Sequence, residues 1–167
     1  MHPACLPIEK LLEQCTARFQ RRGGPGGQHR NKVETAVVIV HQPSGIQAEA
    51  SERRSRPDNH REAILRLRFK LAAEIRTVLD LESAMPSENW QLCHARGRPV
   101  ISANHENCPA IIAELLDWLR ACDFELSKAG NHLGISSSRI VQTLKRYPPA
   151  FDVLNDFRLS KNLRALK

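Results

Sequence analysis

The segment ETAVVIVHQPSGIQAEAS, residues 34–51, has the pattern of a β-hairpin. Its first half is rich in β-branched residues, and its second half alternates apolar and polar side chains, as half-buried strands do. The Pro-Ser-Gly triplet at residues 43–45 is typical of a turn. We therefore predict two antiparallel strands joined at this turn.

The neighbouring segments extend the hairpin into a small α+β unit. The sequence CTARFQR, residues 15–21, predicts another strand. Pro57 and Asp58 are typical of a helix start, and apolar residues then recur at helical spacing. The predicted buried face of this helix comprises Ile64, Leu67, Leu71, Ile75, Val78 and Leu79. We predict a small antiparallel sheet with one long helix packed across it.

The rest of the chain predicts an all-helical unit. Residues 1–84 form the predicted α+β domain, residues 85–108 a linker or arm, and residues 109–167 a helical domain. Within the last, LSKAGNHLGISSSRIVQTLKR, residues 126–146, has the spacing of a helix-turn-helix. Gly134 is expected to cap the first of these helices in the left-handed conformation, and Ser136 to cap the second.

The positive charge is concentrated in the α+β unit. The chain has 25 Lys and Arg against 18 Asp and Glu, a formal net charge of +7. Residues 18–76 hold 13 of these basic residues and 6 of the acidic ones, so this window contains the entire net charge. Such a field favours a polyanionic partner, most often nucleic acid. A solvated basic face without a partner is the alternative.

Other site classes have weaker signals. The five cysteines form no CxxC pair, and the order of Cys93, His94, His105 and Cys108 matches no standard zinc finger, so we predict neither a metal nor a cofactor. The first twenty residues resemble no signal or transit peptide, and no stretch is long enough to cross a bilayer. We therefore predict a cytoplasmic protein with no membrane partner.

The glycine-rich segment RRGGPGGQHRNK, residues 21–32, carries the functional signal. It fits neither the Walker A pattern nor the dinucleotide-binding G-x-G-x-x-G pattern. Glycines let a backbone approach a partner closely, so the segment could enter an RNA-walled cleft. Gln28 at its tip has no titratable proton; it could orient water, and its backbone N–H could stabilise developing negative charge. A flexible surface linker is the alternative.

The motif GGPGGQHRNKVETAV resembles the GGQ loop of class-I peptide chain release factors and of codon-independent ribosome-rescue hydrolases. Asn31 also falls where that family has an asparagine, and a second stretch matches at Arg54, Ser55, Asn59 and Ala63. The chain departs from the family pattern at Gly23, where a serine is usual, and at Arg56, where a glutamine is usual. The resemblance covers about residues 15–81.

The resemblance implies ribosome-dependent hydrolysis of the peptidyl-tRNA ester, in a GGQ domain spanning residues 1–84. The catalytic tripeptide would be Gly26, Gly27 and Gln28, whose side-chain amide is N5-methylated in some members of the family. The partners would be the RNA of the large ribosomal subunit and the P-site peptidyl-tRNA. The predicted RNA contacts are Arg21, Arg22, Arg30, Asn31, Lys32, Arg53, Arg54, Arg56, Arg139, Lys145 and Arg146.

We expect a monomeric rescue factor that frees peptides from stalled ribosomes or split large subunits without reading codons. Whether an additional rescue factor delivers it stays open. The ligand of the helix-turn-helix-like unit is also open between RNA, DNA and a purely structural role. The alternative function is a non-enzymatic RNA- or DNA-binding regulator, and a third is a paralogue that occupies the ribosome without hydrolysis.

Overall fold

The computed structural model describes residues 1–21, 34–95 and 105–167. The chain divides into two compact units: Leu6–Leu71, and Met1–Cys5 together with Ala72–Lys167. Over the described ranges it contains a three-stranded antiparallel sheet and seven α-helices. The predicted α+β fold is confirmed, whereas the domain limits given above remain predictions.

The unit Leu6–Leu71 is built on the predicted hairpin. Helix α1 (Ile8–Glu13) leads into β1 (Cys15–Gln20), followed by β2 (Ala36–His41) and β3 (Gln47–Ala50). The strand order is β1-β2-β3, and both neighbouring pairs are antiparallel. At the turn, the amide of Gly45 donates to the carbonyl of His41 at 2.8 Å. The predicted strands and turn are therefore confirmed.

The alternating pattern of the hairpin gives the sheet one buried face. Val37 and Ile39 of β2 are fully buried, whereas Val38 and Val40 are half-buried. In β3, Ala48 and Ala50 are buried and the intervening Glu49 is exposed. Helix α2 (Arg56–Glu74) buries Ile64, Leu67 and Leu71 as predicted, and it also buries Ala63. Each fully buried leucine contributes about 2 kcal/mol of apolar transfer free energy.

The prediction that this stripe continues to Leu79 was wrong. Helix α2 ends at Glu74, and Val78 is 98% exposed. The physical reason is competition for backbone partners, since a helix would need the amides of residues 76 and 77 to donate to residues 72 and 73. Instead the guanidinium of Arg76 donates to the carbonyl of Ala72, and the amide of Thr77 donates to Asp117 Oδ1 at 3.1 Å.

The second unit packs around one apolar helix. It contains a 3₁₀ turn (Pro3–Cys5) and helices α3 (Glu88–Ala95), α4 (Cys108–Ala121), α5 (Leu126–Leu133), α6 (Ser137–Leu144) and α7 (Pro148–Ser160). Trp118 and the leucines around it on α4 are fully buried. Trp90 of α3 is also buried, and its Nε1 donates to the carbonyl of Leu133 at 3.0 Å. Part of the segment predicted as a linker is therefore helical.

The predicted helix-turn-helix caps are confirmed. Gly134 follows α5 with φ 68° and ψ 28°, the left-handed conformation that glycine adopts at least cost. Ser136 precedes α6, and its Oγ accepts a hydrogen bond from the amide of Arg139 at 3.3 Å. Of the described helices, none has the length and hydrophobicity that crossing a bilayer would require.

Candidate functional site

The glycine-rich motif lies between two strand ends that are paired with each other. Gln20, the last residue of β1, lies opposite Ala36, the first residue of β2. The chain thus leaves the sheet and returns to it at the same end. Residues 22–33 lie outside the described residues. The predicted site residues among them are Gly26, Gly27 and Gln28 and the polar residues Arg22, Arg30, Asn31 and Lys32.

An ion pair joins the two sides at this end of the sheet. The Nε of Arg21 lies 3.6 Å from Oε1 of Glu34. Both side chains are more than half exposed, so the pair contributes at most about 1 kcal/mol. Sequence reasoning named Arg21 but missed Glu34. The antiparallel register was the available signal, because it brings residues 21 and 34 to the same end of the two strands.

A buried amide fixes the start of β2. Asn59, in the first turns of α2, is fully buried. Its Nδ2 donates to the carbonyl of Thr35 at 2.7 Å and to that of Arg53 at 2.9 Å, and its Oδ1 accepts from the amide of Arg53 at 2.9 Å. The one side chain therefore ties three backbone groups together, next to the point where the described chain resumes at residue 34. Sequence reasoning noted Asn59 only through the family pattern and did not include it in the site.

Three of the predicted RNA-contacting arginines lie after the end of β3, the last of them at the first residue of α2. Arg53, Arg54 and Arg56 are all exposed. The guanidinium carbon of Arg56 lies 3.4 Å from the centroid of the Phe19 ring, a cation–π contact with β1. Because Phe19 is the penultimate residue of β1, the structure brings Arg56 to the end of the sheet that flanks the motif. Phe19 was not predicted to have this role.

Other basic residues of this unit are occupied by structural contacts. Arg66 is within 2.9 Å of Glu52 and 3.0 Å of Glu62, and it donates to the carbonyl of Glu49. The hydrogen bond from Arg66 lowers the pKa of the Glu52 carboxyl. Lys70 donates to the carbonyl of Gln47, also in β3. These side chains hydrogen-bond to carbonyls of β3, an edge strand of the described sheet.

The remaining predicted RNA contacts, Arg139, Lys145 and Arg146, belong to the second compact unit. Arg139 lies in the first turn of α6, and the other two directly follow that helix. Over residues 1–21, 34–95 and 105–167, no group of His, Cys, Asp and Glu side chains is arranged to hold a metal ion. Burial raises the pKa of the Cys108 thiol to about 11, which keeps it protonated at neutral pH.

Comparison with known proteins fits this arrangement. The model of the RF-1 domain family matches residues 9–93, slightly more than half of the chain. This chain belongs to the RF-1 domain family. The match includes the sheet, the motif segment and all of α2. It confirms the resemblance to class-I release factors that the GGQ motif indicated.

Individual relatives align over the same part of the chain. A mitochondrial release factor-like protein of Saccharomyces cerevisiae, YLR281C, which is described as uncharacterised, is 44% identical over 77 residues, 46% of this chain and 50% of that protein. The chloroplastic release factor PrfB1 of Arabidopsis thaliana is 48% identical over 64 residues, 38% of this chain and 14% of that protein. Peptide chain release factor 1 of Chloroherpeton thalassium is 46% identical over 85 residues, 48% of this chain and 24% of that protein. The chain thus spans half or less of the length of these relatives.

Proposed function

We propose that this RF-1 family protein hydrolyses the ester of peptidyl-tRNA within the ribosomal peptidyl transferase centre and releases the nascent peptide without codon recognition. The observation that carries the proposal is the position of the GGQ motif, between paired strand ends of a family domain. The partners are the RNA of the large subunit and the P-site peptidyl-tRNA. The compartment remains a prediction, because cytoplasm is expected from the sequence and the yeast relative is named as mitochondrial.

The chemistry proposed for the motif is water addition to the ester carbonyl. The Gln28 amide orients the water, and its backbone N–H donates to the oxyanion that develops on the carbonyl oxygen. The carbon–oxygen bond to the tRNA then breaks, the ribose oxygen leaves with a proton, and the peptide leaves as its acid. Gln28 has no proton to exchange near neutral pH, so the ribosome and the tRNA supply the proton transfers.

The described residues support a role for the end of the sheet in RNA contact. Arg53, Arg54 and Arg56 are exposed, and the stacking of Arg56 on Phe19 restricts its guanidinium to one side of β1. Asn59 holds the backbone of Arg53 against that of Thr35. A guanidinium held in this way loses less conformational entropy when it binds a phosphate than a free one does.

The decisive experiment measures peptide release from ribosomal complexes with labelled peptidyl-tRNA in the P site. Three states are compared: a stop codon in the A site, an empty A site on truncated mRNA, and isolated large subunits. We expect release in a state without a stop codon. Gln28→Ala should bind equally well and keep the backbone N–H, but it removes the amide that orients the water, so we expect peptide release to be about 100-fold slower, as for a misplaced reactant.

The matched control is Gln42→Ala, which removes an exposed amide in the turn after β2. It should release peptide at the wild-type rate. Absence of release in all three states would refute the hydrolase proposal, and an absolute requirement for a stop codon would refute its codon-independent part.

The helix-turn-helix geometry of α5 and α6 favours a second candidate, a nucleic-acid-binding regulator without hydrolytic activity. In that case the protein would bind free nucleic acid with strong salt dependence, and Gln28→Ala would change little. The release assay separates the two functions, because only the hydrolase depends on Gln28.

A further inference from the structure

Helix α6 separates its buried and exposed residues cleanly. Ile140, Thr143 and Leu144 face the interior of the second unit and are at most 6% exposed. The Oγ1 of Thr143 donates back to the carbonyl of Arg139 at 2.8 Å, so this polar group is satisfied within the helix. Packing of the second unit therefore uses one side of α6 and leaves the other side open.

The opposite side is polar and basic. Three of its side chains fall within an arc of about 100°, at about 100° per residue, and two more directly follow the last residue of the helix. They are Ser138, Arg139, Gln142, Lys145 and Arg146, and we call them the α6 basic face. Arg139 is half-buried and the other four are exposed. Residues 137–147 contain three basic residues and no acidic one, so no carboxylate within this segment offsets the charge.

The charges of the α6 basic face are available for a partner. Arg66 and Arg76, by contrast, each have a carboxylate within 3.3 Å. Within the described ranges, none of the three basic side chains of the α6 basic face forms such an ion pair. Lys145 lies above the Phe151 ring, with its Nζ 5.7 Å from the centroid, a contact that leaves the positive charge in place.

We propose that the α6 basic face is an RNA-binding surface that contacts the phosphate backbone. Three cations that form no ion pair with any described residue, together with a hydroxyl and an amide, suit phosphate oxygens, which accept hydrogen bonds from both kinds of group. The five side chains include no aromatic group on which a base could stack, so the contact is to the backbone. The choice of RNA over DNA rests on the proposed function, since the first unit belongs to the RF-1 family.

The test is the salt dependence of binding. Each phosphate neutralised by a basic side chain adds about 0.7 to 0.9 to the slope of log affinity against log salt concentration. The triple variant Arg139→Gln, Lys145→Gln, Arg146→Gln should therefore lower this slope by about 2 to 3 for an RNA duplex, measured from about 50 to 200 mM salt. Fluorescence anisotropy with labelled RNA and DNA duplexes of the same sequence gives the slopes.

A matched variant controls for net charge. Lys161→Gln, Arg164→Gln, Lys167→Gln removes the same three charges from exposed residues of the same unit. Its slope should stay close to the wild-type value, and circular dichroism should show both variants folded. Equal losses in the two triple variants, or no loss in the first, would overturn the proposal. Equal or tighter binding to the DNA duplex, with the same loss in the α6 variant, would overturn RNA as the partner.

This measurement is independent of peptide release. If no peptide is released in any state, and the α6 triple variant still shows the smaller slope of log affinity against log salt concentration, the proposed function is wrong and the RNA-binding surface stands. If release occurs and the slope is unchanged, the proposed function stands and the α6 basic face is not a binding surface.

Discussion

The Nδ2 of Asn59 lies 2.7 Å from the carbonyl oxygen of Thr35, and this hydrogen bond joins the beginning of α2 to the residue before β2. The same side chain also makes two hydrogen bonds with the backbone of Arg53: Asn59 Oδ1 accepts from the Arg53 N–H, and Asn59 Nδ2 donates to the Arg53 carbonyl. Because Gln20 pairs with Ala36 at this end of the sheet, Asn59 fixes the strand end that follows the GGQ motif. Its observed contacts are with the backbone of Thr35 and Arg53, and the chemistry proposed above does not use it.

Replacing Asn59 should destabilise the first unit. Asn59→Leu keeps a side chain of similar volume but removes the partner of two carbonyls and one amide in part-buried hydrogen bonds, at up to about 1 to 3 kcal/mol for each group left unsatisfied. We expect a total loss of about 3 kcal/mol in the free energy of unfolding. Urea denaturation measures the change in unfolding free energy, and hydrogen exchange of the β2 amides shows whether the loss is located at that strand.

The control for Asn59 is Gln42→Ala, because the Gln42 amide donates to Thr16 Oγ1 at the surface. It should change stability by no more than about 0.5 kcal/mol. If Asn59→Leu were as stable as this control, the buried hydrogen bonds of Asn59 would not hold the start of β2.

Arg56 offers a separate test of the RNA contacts. Arg56→Gln restores the residue usual in release factors and removes the contact with Phe19, which should cost about 0.5 to 1 kcal/mol of stability. If the guanidinium also binds a phosphate, the salt slope of RNA binding falls by about 0.7 to 0.9. Phe19→Leu removes the stacking and keeps the charge, so it should leave the salt slope unchanged and lower the affinity for RNA, because the guanidinium is no longer held in place. Equal slopes for wild type and Arg56→Gln would assign Arg56 a purely structural role.

What the sequence predicted depended on how local the determinants were. Gly134 and Ser136 act on their own turns, so the caps of α5 and α6 were predictable from a few neighbouring residues. The end of α2 was not, because it depends on the hydrogen bond from Thr77 to Asp117, which is 40 residues further along the chain than Thr77. The role of Asn59 was hidden for a related reason: its partners are backbone groups, which have no signature in the sequence.

The stability of the second unit should depend on both charges of the buried Arg76–Asp117 ion pair being present together or absent together. The Nη1 of Arg76 lies 3.3 Å from Oδ1 of Asp117, and the two side chains are 9% and 4% exposed. Thr77 also donates to Asp117 through its amide and its hydroxyl group. Asp117→Leu leaves the Arg76 charge buried without a partner, and we expect a loss of about 3 to 5 kcal/mol.

The double variant Arg76→Met, Asp117→Leu should recover a large part of that stability, because it removes both charges together. The control is Asp152→Ala, which removes an exposed carboxylate from α7. A double-mutant cycle by chemical denaturation measures the coupling. Losses that simply add would show that the two side chains do not interact.

Stability should depend on pH through His2. Its Nδ1 accepts from the amide of Ala4 and its Nε2 donates to the carbonyl of Ile75, both at 3.0 Å, so the ring is neutral in the folded protein. Burial lowers the pKa of His2, and the nearby charges of Arg76 and the N-terminal amine act in the same direction, against the opposing effects of the Ile75 carbonyl and Asp117. The unfolded chain therefore binds more protons, and stability falls as the pH drops below about 6.5.

Unfolding free energies between about pH 7.5 and pH 6 test this dependence. His2→Gln should make the unfolding free energy depend less steeply on pH. Part of the dependence should remain, because burial also lowers the pKa of His41. The control is His132→Gln, since His132 is exposed. A curve for His2→Gln that matches the wild-type slope would exclude His2 as the source.

Helix α5 should tolerate no side chain at Gly130, where the turn that leads to α6 packs against it. A Cβ atom placed there would lie 2.4 Å from the carbonyl oxygen of Ile135, a backbone atom that cannot rotate away. The amide of Ile135 donates to the carbonyl of Gly130 at 3.0 Å, so the clash would also break the bond that closes the turn. Gly130→Ala should cost about 3 kcal/mol, and Gly134→Ala, which only strains a positive φ, about 1 kcal/mol. The control is Asn131→Ala, because Asn131 is exposed. Thermal unfolding ranks the stabilities of the three variants. A Gly130→Ala variant more stable than Gly134→Ala would contradict the close approach of the backbone at Gly130 and Ile135.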